Sequence, residues 1–357
     1  MPDAPVPPAV SGGAVWKVSP VKAFVVTGPR RFSVWDVEPP VPGPGQVVVD
    51  VERAGVCGTD MEFFSGEMAY LSEDHARYPI RLGHEWCGRV SSVGEGVEDG
   101  WIGTRVTGDT MLGCGRCRRC LGGLQHVCED RFEIGIRGGW PGALAEQLPV
   151  PVTALHALPD AVDAVAGAMV EPGGNALRAV EAAALAPDDR LLVLGPGTIG
   201  LLAARFALAS GAEVHIMGLS EPSLEFARGL GVHGAWTSDR LPRLPFDAVI
   251  DASNAPGLPA LAVDLVEPGK RVVYIGIAPR SSAVDTRVLV LKDVTAVGIL
   301  SASPGLAGAI EKYASGSVDP RPLVAAVVGL EEVGAVLAGS RPAGCGPGPK
   351  IHVDPRA

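Results

Sequence analysis

From Val21 to about Val150 the chain reads as short apolar runs broken by glycine and proline: KAFVV, QVVVDVERAGV, WCGRVSSVG and RVTGD. Apolar and polar positions that alternate between turn formers predict strands, so this half is expected to be β-rich. At about Asp160 the period changes. ALRAVEAAALAP has helical spacing, LLVLG is the continuous apolar run of a buried strand, TIGLLAARFALASG is helical again, and EVHIMG returns to strand. FDAVIDAS and RVVYIG extend the series as strands, with SLEFARGLG and LPALAVDLV as helices among them. Strand and helix alternating at this pitch predict an α/β fold with a doubly wound parallel sheet. After TAVGIL, an Ala/Gly-rich segment carries one amphipathic helix over 305–315 and a closing strand, KIHVD. The expected layout is a tail over 1–20, a β-rich domain over 21–172 resumed over 304–357, and an inserted α/β domain over 173–303.

At 357 residues the chain suits two domains rather than one core. Its 47% apolar and 20% charged residues are a globular balance. A net charge of −10 makes nucleic acid and anionic membrane surfaces poor partners. The richest apolar stretch, Thr198 to Val214, is interrupted by Arg205 and Glu213, so no membrane span is expected. Residues 1–20 lack the basic start and apolar run of a secretory signal, and their Pro/Gly/Ser content predicts a disordered tail. The expectation is a cytoplasmic protein with reduced cysteines.

Cys114, Cys117, Cys120 and Cys128 follow one another as C-x2-C-x2-C-x7-C. Four thiolates so close in sequence can converge on one Zn²⁺ at Zn–S distances of about 2.3 Å, and a closed four-sulfur shell marks a structural site. A disulfide cluster is the competing reading. Seven cysteines, an odd number, and the missing secretory signal weigh against it.

Downstream, LLVLG runs straight into Gly195-x-Gly197-x-x-Gly200, with Thr198 and Ile199 inside the motif and a helix following. The first glycine permits the tight turn, the second admits a pyrophosphate to the backbone, and the third lets helix pack on strand. Alone, GxGxxG is weak in a chain with 47 glycines. Its place within a βαβ pattern makes it a dinucleotide site. At the end of the next strand an NAD site usually carries Asp or Glu, whereas here the run is Gly218-Leu219-Ser220. Without that carboxylate nothing repels a 2′-phosphate, which favours NADP over NAD, with Ser220 as a donor.

A further constellation lies upstream: Cys57-Gly58-Thr59-Asp60, then Gly83-His84-Glu85 27 residues after the cysteine, then Val170-Glu171-Pro172. A thiolate, an imidazole and one or two carboxylates from separate segments make an open zinc site that leaves room for substrate. Each residue also has a plain structural reading: Cys57 as a small buried hydrophobe, His84 as a core histidine, Glu171 as an acid at a helix start. Their joint occurrence with the four cysteines and the glycine loop favours the metal.

The order CGTD, GHE, four-cysteine lobe, EP and GxGxxG resembles the zinc-dependent medium-chain dehydrogenases, and the likeness runs from about Val21 to the C-terminus. The Glu171-Pro172 motif and the phrase Gly58-Thr59-Asp60-x-Glu62 look more like the family's sugar and polyol branch. This resemblance implies a Rossmann domain inserted in a GroES-like catalytic domain, and a homodimer or homotetramer. It implies one catalytic zinc on Cys57 and His84, with Glu171 and at some stage Glu85 as ligand directly or through water, and one structural zinc. It further implies Thr59 as a hydroxyl relay, a nicotinamide cofactor, and a small polyhydroxylated substrate whose secondary hydroxyl is oxidised. The chain departs from the family pattern twice. Glu62 stands where a histidine often ends the relay, and Gly218 where an acid is usual. A zinc-free reductase of the same superfamily, or a nucleotide-binding protein with a silent site, are the rival readings.

Overall fold

The computed structural model describes residues 19–357. All but the last two residues of the expected tail lie outside that range. The chain divides into two compact units. Among the described residues, one comprises 19–171, 326–345 and 350–357, the other 172–325 and 346–349.

In the second unit six strands pair in the order Gly234–Trp236, Glu213–Met217, Arg190–Leu194, Phe246–Asp251, Val266–Tyr274 and Thr295–Gly298. Every pairing is parallel. Numbered along the chain this is 3-2-1-4-5-6, the doubly wound order of dinucleotide-binding sheets. RLLVL and FDAVID are almost wholly buried because helices cover both faces of such a sheet. The strand Thr295–Gly298 is the outer edge and is largely exposed. The segment 304–325, expected in the β-rich domain, groups with this unit instead. Its helix Leu306–Ala314 turns Tyr313 inward to stack on Phe206, with ring centroids 6.0 Å apart. The amphipathic period of that helix is visible in sequence, but not the partner its apolar face meets.

The first unit is built on a seven-stranded sheet in which Gln46–Gly55 is central. It pairs antiparallel with Glu85–Val93 on one side and with Gln147–Pro151 and the closing strand Lys350–Val353 on the other. Glu85–Val93 continues to Arg105–Gly108 and that to Leu155–Ala157. The register sets Gly55 opposite both Glu85 and His352, so the start of the GHE strand and the closing strand meet at one end of Gln46–Gly55. Two helices inside this half, Gly58–Ser65 and Ala69–Ser72, are not anticipated by the strand pattern.

One ion-pair network in the second unit yields a pH-dependent expectation. Glu213 takes two hydrogen bonds of 2.8 Å from Arg190 and one contact of 2.8 Å with His215. The bonds from Arg190, then His215, hold its carboxyl down to about 2. A depressed carboxylate stabilises the fold above its unfolded pKa, and the gain is lost as pH falls through the folded value. Partial exposure screens the pair, so Glu213→Gln should lower Tm near pH 7 by about 2–4 °C, the effect of roughly 1 kcal/mol in a domain of this size. The difference from wild type should shrink below about pH 4. Calorimetric melts across pH check it, and a pH-independent difference would rule the network out as the cause.

Candidate active site

Cys57 caps the helix Gly58–Ser65. Its backbone N–H donates to Asp60 Oδ2 at 2.9 Å, closing a capping box. The cap fixes Cys57 at the helix N-terminus. Asp60 is fully buried, and its other oxygen, Oδ1, lies 3.6 Å from Nδ1 of the buried His84. Neither of these two atoms has a hydrogen-bond partner. A carboxylate facing Nδ1 orients the ring so that Nε2 is left for a metal. Burial pulls the His84 pKa down, but the Asp60 charge and contacts with Asp60 and Cys57 outweigh it and set it well above the usual imidazole value.

Ligand atoms of Cys57, His84 and Glu85 all lie within 4.8 Å of one another. Glu85 is 1% exposed, and both its oxygens receive the ammonium of Lys350, at 2.8 and 2.6 Å. Lys350 Nζ also donates to the Val56 carbonyl at 2.9 Å, next to Cys57. The site thus contains a buried lysine from the closing strand that sequence reasoning did not include. Glu171 occupies the first turn of the helix Val170–Ala183. Among the described residues the set converging on one point is Cys57, His84 and Glu85, without Glu171. Thr59 and Glu62 are half-buried, three residues apart on the helix that Cys57 caps. Burial raises the Glu62 carboxyl, and Glu67 adds to the effect.

The four-cysteine lobe has the spacing a zinc needs. Sulfurs at about 2.3 Å from a shared centre in a tetrahedron stand about 3.8 Å apart. The observed separations are 3.9 Å for Cys114–Cys120, 3.5 Å for Cys117–Cys120 and 3.8 Å for Cys117–Cys128. All seven cysteines are free thiols, so the disulfide reading fails. Backbone N–H groups of Arg116 and Cys117 bring the Cys114 thiol down to about 6. Burial, then its thiol neighbours, pushes Cys120 up to about 12. Four thiolates cannot coexist at this spacing without a cation, which is what the donor set fits.

In the second unit Gly195 has φ +103°, a conformation that L side chains rarely adopt, and a Cβ on Gly200 would stand 2.0 Å from the Gly195 carbonyl oxygen. Gly197 has open space where its side chain would be, at the N-cap of the helix Thr198–Ala209. Thr198, Ile199 and Gly200 form the first turn of that helix, the geometry of a pyrophosphate cradle. At the carboxyl ends of the fourth and fifth strands a cavity of about 190 Å³ is lined by Asp251, Ser253, Pro259, Tyr274, Gly276 and Val284. Asp251 pairs in register with Leu194, so it flanks the point where strand order reverses and dinucleotides bind. Gly218 is tighter than its sequence implies, since a Cβ there would meet Pro196 Cγ at 2.7 Å. Ser220 caps the helix Glu221–Gly229, accepting from Ser223 N. Arg228 is committed to Glu221 and Glu225, at 2.5 and 2.9 Å.

A dinucleotide-binding sheet joined to a β-rich unit holding two sets of metal-type donors defines an NAD(P)-dependent dehydrogenase of alcohols. Residues 43–160 match the alcohol dehydrogenase GroES-like domain, and residues 198–315 match the zinc-binding dehydrogenase domain. The chain is 31% identical over 327 residues to a 2-dehydro-3-deoxy-L-galactonate 5-dehydrogenase of Pseudoalteromonas atlantica, covering 87% of this chain and 92% of that one. It is 32% identical over 279 residues to an L-threonine 3-dehydrogenase of Idiomarina loihiensis, covering 74% and 80%. Two crystal structures superpose with a TM-score of 0.86. One is an alcohol dehydrogenase of Escherichia coli CFT073 complexed with NADH, at 26% identity, covering 94% of this chain and 100% of that one. The other is a zinc-binding dehydrogenase of Sinorhizobium meliloti 1021 bound to NADP, at 27%, covering 95% and 100%. The chain belongs to the zinc-dependent medium-chain dehydrogenase family.

Proposed function

We propose that the enzyme interconverts a secondary hydroxyl and a ketone on a small polyhydroxylated substrate: a polyol, sugar, sugar acid or cyclitol. The observation that carries this reading is the convergence of Cys57, His84 and Glu85 beside the helix bearing Thr59 and Glu62. The sugar-acid dehydrogenase among its relatives supports the substrate class.

Cys57 and His84 would hold the catalytic zinc, with Glu85 or Glu171 completing the shell directly or through water, and the four cysteines would hold a second, structural zinc. When bound, the catalytic zinc supplies a Lewis acid that favours the ionised form of the substrate oxygen. The Asp60 carboxylate facing Nδ1 orients the His84 ring, and Lys350 balances the Glu85 charge inside the dry site. Thr59 Oγ1 takes the hydroxyl proton and relays one outward. Glu62, its carboxyl raised by burial, suits the acceptor role at the end of that relay. Gly195, Gly197, Thr198, Ile199 and Gly200 would bind the pyrophosphate of the nicotinamide cofactor, which carries the hydride chemistry.

NADP is favoured over NAD because Gly218 presents no carboxylate and Ser220 offers a hydroxyl. With Arg228 already paired, the preference should be modest, about tenfold in kcat/KM. Cytoplasmic placement fits seven free thiols. No helix among the described residues is long and apolar enough to cross a membrane. A homodimer or homotetramer fits the exposed edge strand Thr295–Gly298 beside Val290 and Leu291, which are 78% and 85% exposed.

A panel of alditols, aldonates, cyclitols, simple secondary alcohols and L-threonine, run with both cofactors, tests substrate and cofactor together. Polyhydroxylated compounds should give the highest kcat/KM. A clear preference for an unsubstituted alcohol or for L-threonine would refute the substrate class, and a tenfold preference for NAD would refute the cofactor assignment.

A further inference from the structure

Asp251 ends the fourth strand of the parallel sheet and pairs in register with Tyr274 at the end of the fifth, so both side chains leave the same face. The helix Leu258–Leu265 covers that face, since Val249 and Val272, two residues earlier on each strand, share a packed cluster with its Ala262 and Val263. The helix of the glycine loop lies on the other face. A Cβ on its Gly200 would meet Val193, one residue out of step with Leu194, the partner of Asp251. The cavity of about 190 Å³ that Asp251 and Tyr274 line is therefore separate from the pyrophosphate cradle. Asp251 is 2% exposed. Its Oδ1 accepts from the backbone N–H and the hydroxyl of Ser253, at 3.1 and 2.8 Å. Its Oδ2 has no partner among the described residues, and no lysine or arginine among them pairs with it. Burial raises the carboxyl, and the bonds from Ser253 oppose the rise.

The other polar groups of the cavity are mostly acceptors. The Tyr274 hydroxyl donates to the Pro259 carbonyl at 2.9 Å, which leaves its oxygen free to accept, and the Ser253 proton is already engaged by Asp251. A buried carboxylate without a counter-charge is unfavourable, and a bound cation relieves it. An ammonium suits these groups because it brings three N–H donors and no acceptor, and the Tyr274 ring offers its face to the same charge. Ala255, Pro259, Ala278 and Val284 give an apolar wall to the body that carries it. A cavity of about 150 Å³ holds benzene, so this one fits an amine of about six to eight non-hydrogen atoms. Ser253 ties the cavity to the cofactor loop. A Cβ on Gly195 would stand 3.3 Å from Ser253 Cβ, and one on Gly276 would stand 1.7 Å from the Ser253 carbonyl oxygen. The turn after Asp251 is thus clasped between the first glycine of the cradle and the end of the fifth strand. An ionised Asp251 so near the cradle repels dinucleotide phosphates, and an ammonium beside it cancels that repulsion.

We propose that this cavity is an effector site for a small primary ammonium, and that its occupation tightens dinucleotide binding. The site stands apart from the substrate reading above. The test uses the full-length zinc-loaded enzyme at neutral pH. 3-Methylbutylammonium is titrated by calorimetry beside its trimethylated analogue, which keeps the charge and lacks N–H donors. The primary ammonium should bind at least about tenfold more tightly. At saturation it should lower the Kd of reduced cofactor, followed by fluorescence, by about threefold or more. Asp251→Asn keeps an acceptor for Ser253 and removes the charge. It should weaken the ammonium at least about tenfold, and bind cofactor more tightly than wild type with no further response to the ammonium. Melting curves report folding. If the asparagine variant does not fold, Val284→Phe, which fills the cavity, should abolish ammonium binding. An ammonium that binds either folded variant as well as wild type sits elsewhere, on the catalytic metal for example, and overturns the proposal. So does equal affinity for the trimethylated analogue, absence of binding, or a cofactor Kd that rises or stays fixed.

Discussion

Replacing His84 with alanine should leave a folded protein that binds dinucleotide and has lost at least roughly a hundredfold in turnover. That is the scale on which removal of a Lewis acid contributing several kcal/mol appears in a rate. His84 lies in the first unit, whereas the glycine loop lies in the second, so binding of reduced cofactor, followed by fluorescence, should survive. The substitution also strips Asp60 of the group facing its Oδ1, so a modest fall in Tm accompanies the loss. Metal content separates this expectation from general damage. The variant should hold about one zinc per chain and wild type about two. A variant that is active, or that retains both metals, would sink the assignment.

Cys117→Ser should act on stability first. Cys117 has Sγ contacts to both Cys120 and Cys128 and caps the short helix Arg118–Leu121, so it is the knot of the lobe. Binding energy at a closed zinc site is also folding energy for the segment that supplies its ligands. The variant should lose about one zinc per chain, melt earlier and become less soluble, while what remains folded keeps the Cys57–His84 metal. The loss should reach beyond the lobe. Arg131 bridges the Cys128 carbonyl, at 3.0 Å, to buried Glu133, which also receives the Tyr70 hydroxyl. Atomic emission and a thermal melt decide the matter. If both metals and the wild-type Tm persist, the four-sulfur site does not exist.

The two units were unequally legible in the sequence. RLLVL and FDAVID are apolar throughout because both faces of the parallel sheet are covered, and that signature needs no partner to be read. The helix Gly58–Ser65 escaped notice because GTDMEFFS is short and its apolar pair Phe63–Phe64 is adjacent rather than spaced at a helical turn. Its only sequence signal was the Cys57-x-x-Asp60 capping pattern. Asp60 itself looked like an ordinary polar neighbour of Thr59, and only its complete burial against His84 shows what it does. Lys350 lies 265 residues from Glu85, and no local pattern links residues so far apart. A lysine opening the closing strand KIHVD was the one hint, since lysine is almost never fully buried unless paired. At Gly218 the sequence showed a missing acid, but not that Pro196 fills the space a side chain there would need.

That distance from Glu85 to Lys350 also sets an order of events during synthesis. Translation delivers Cys57, His84 and Glu85 early, then the whole dinucleotide unit, and only afterwards the lysine that neutralises Glu85. A nascent chain paused before the closing strand carries a carboxylate with no cation to accompany it into a dry interior, so the catalytic end of the sheet cannot seal. Domains generally fold as units as they emerge, and the second unit has nearly all of its residues by then. The nucleotide fold should therefore mature first, while the catalytic fold waits for the closing strand.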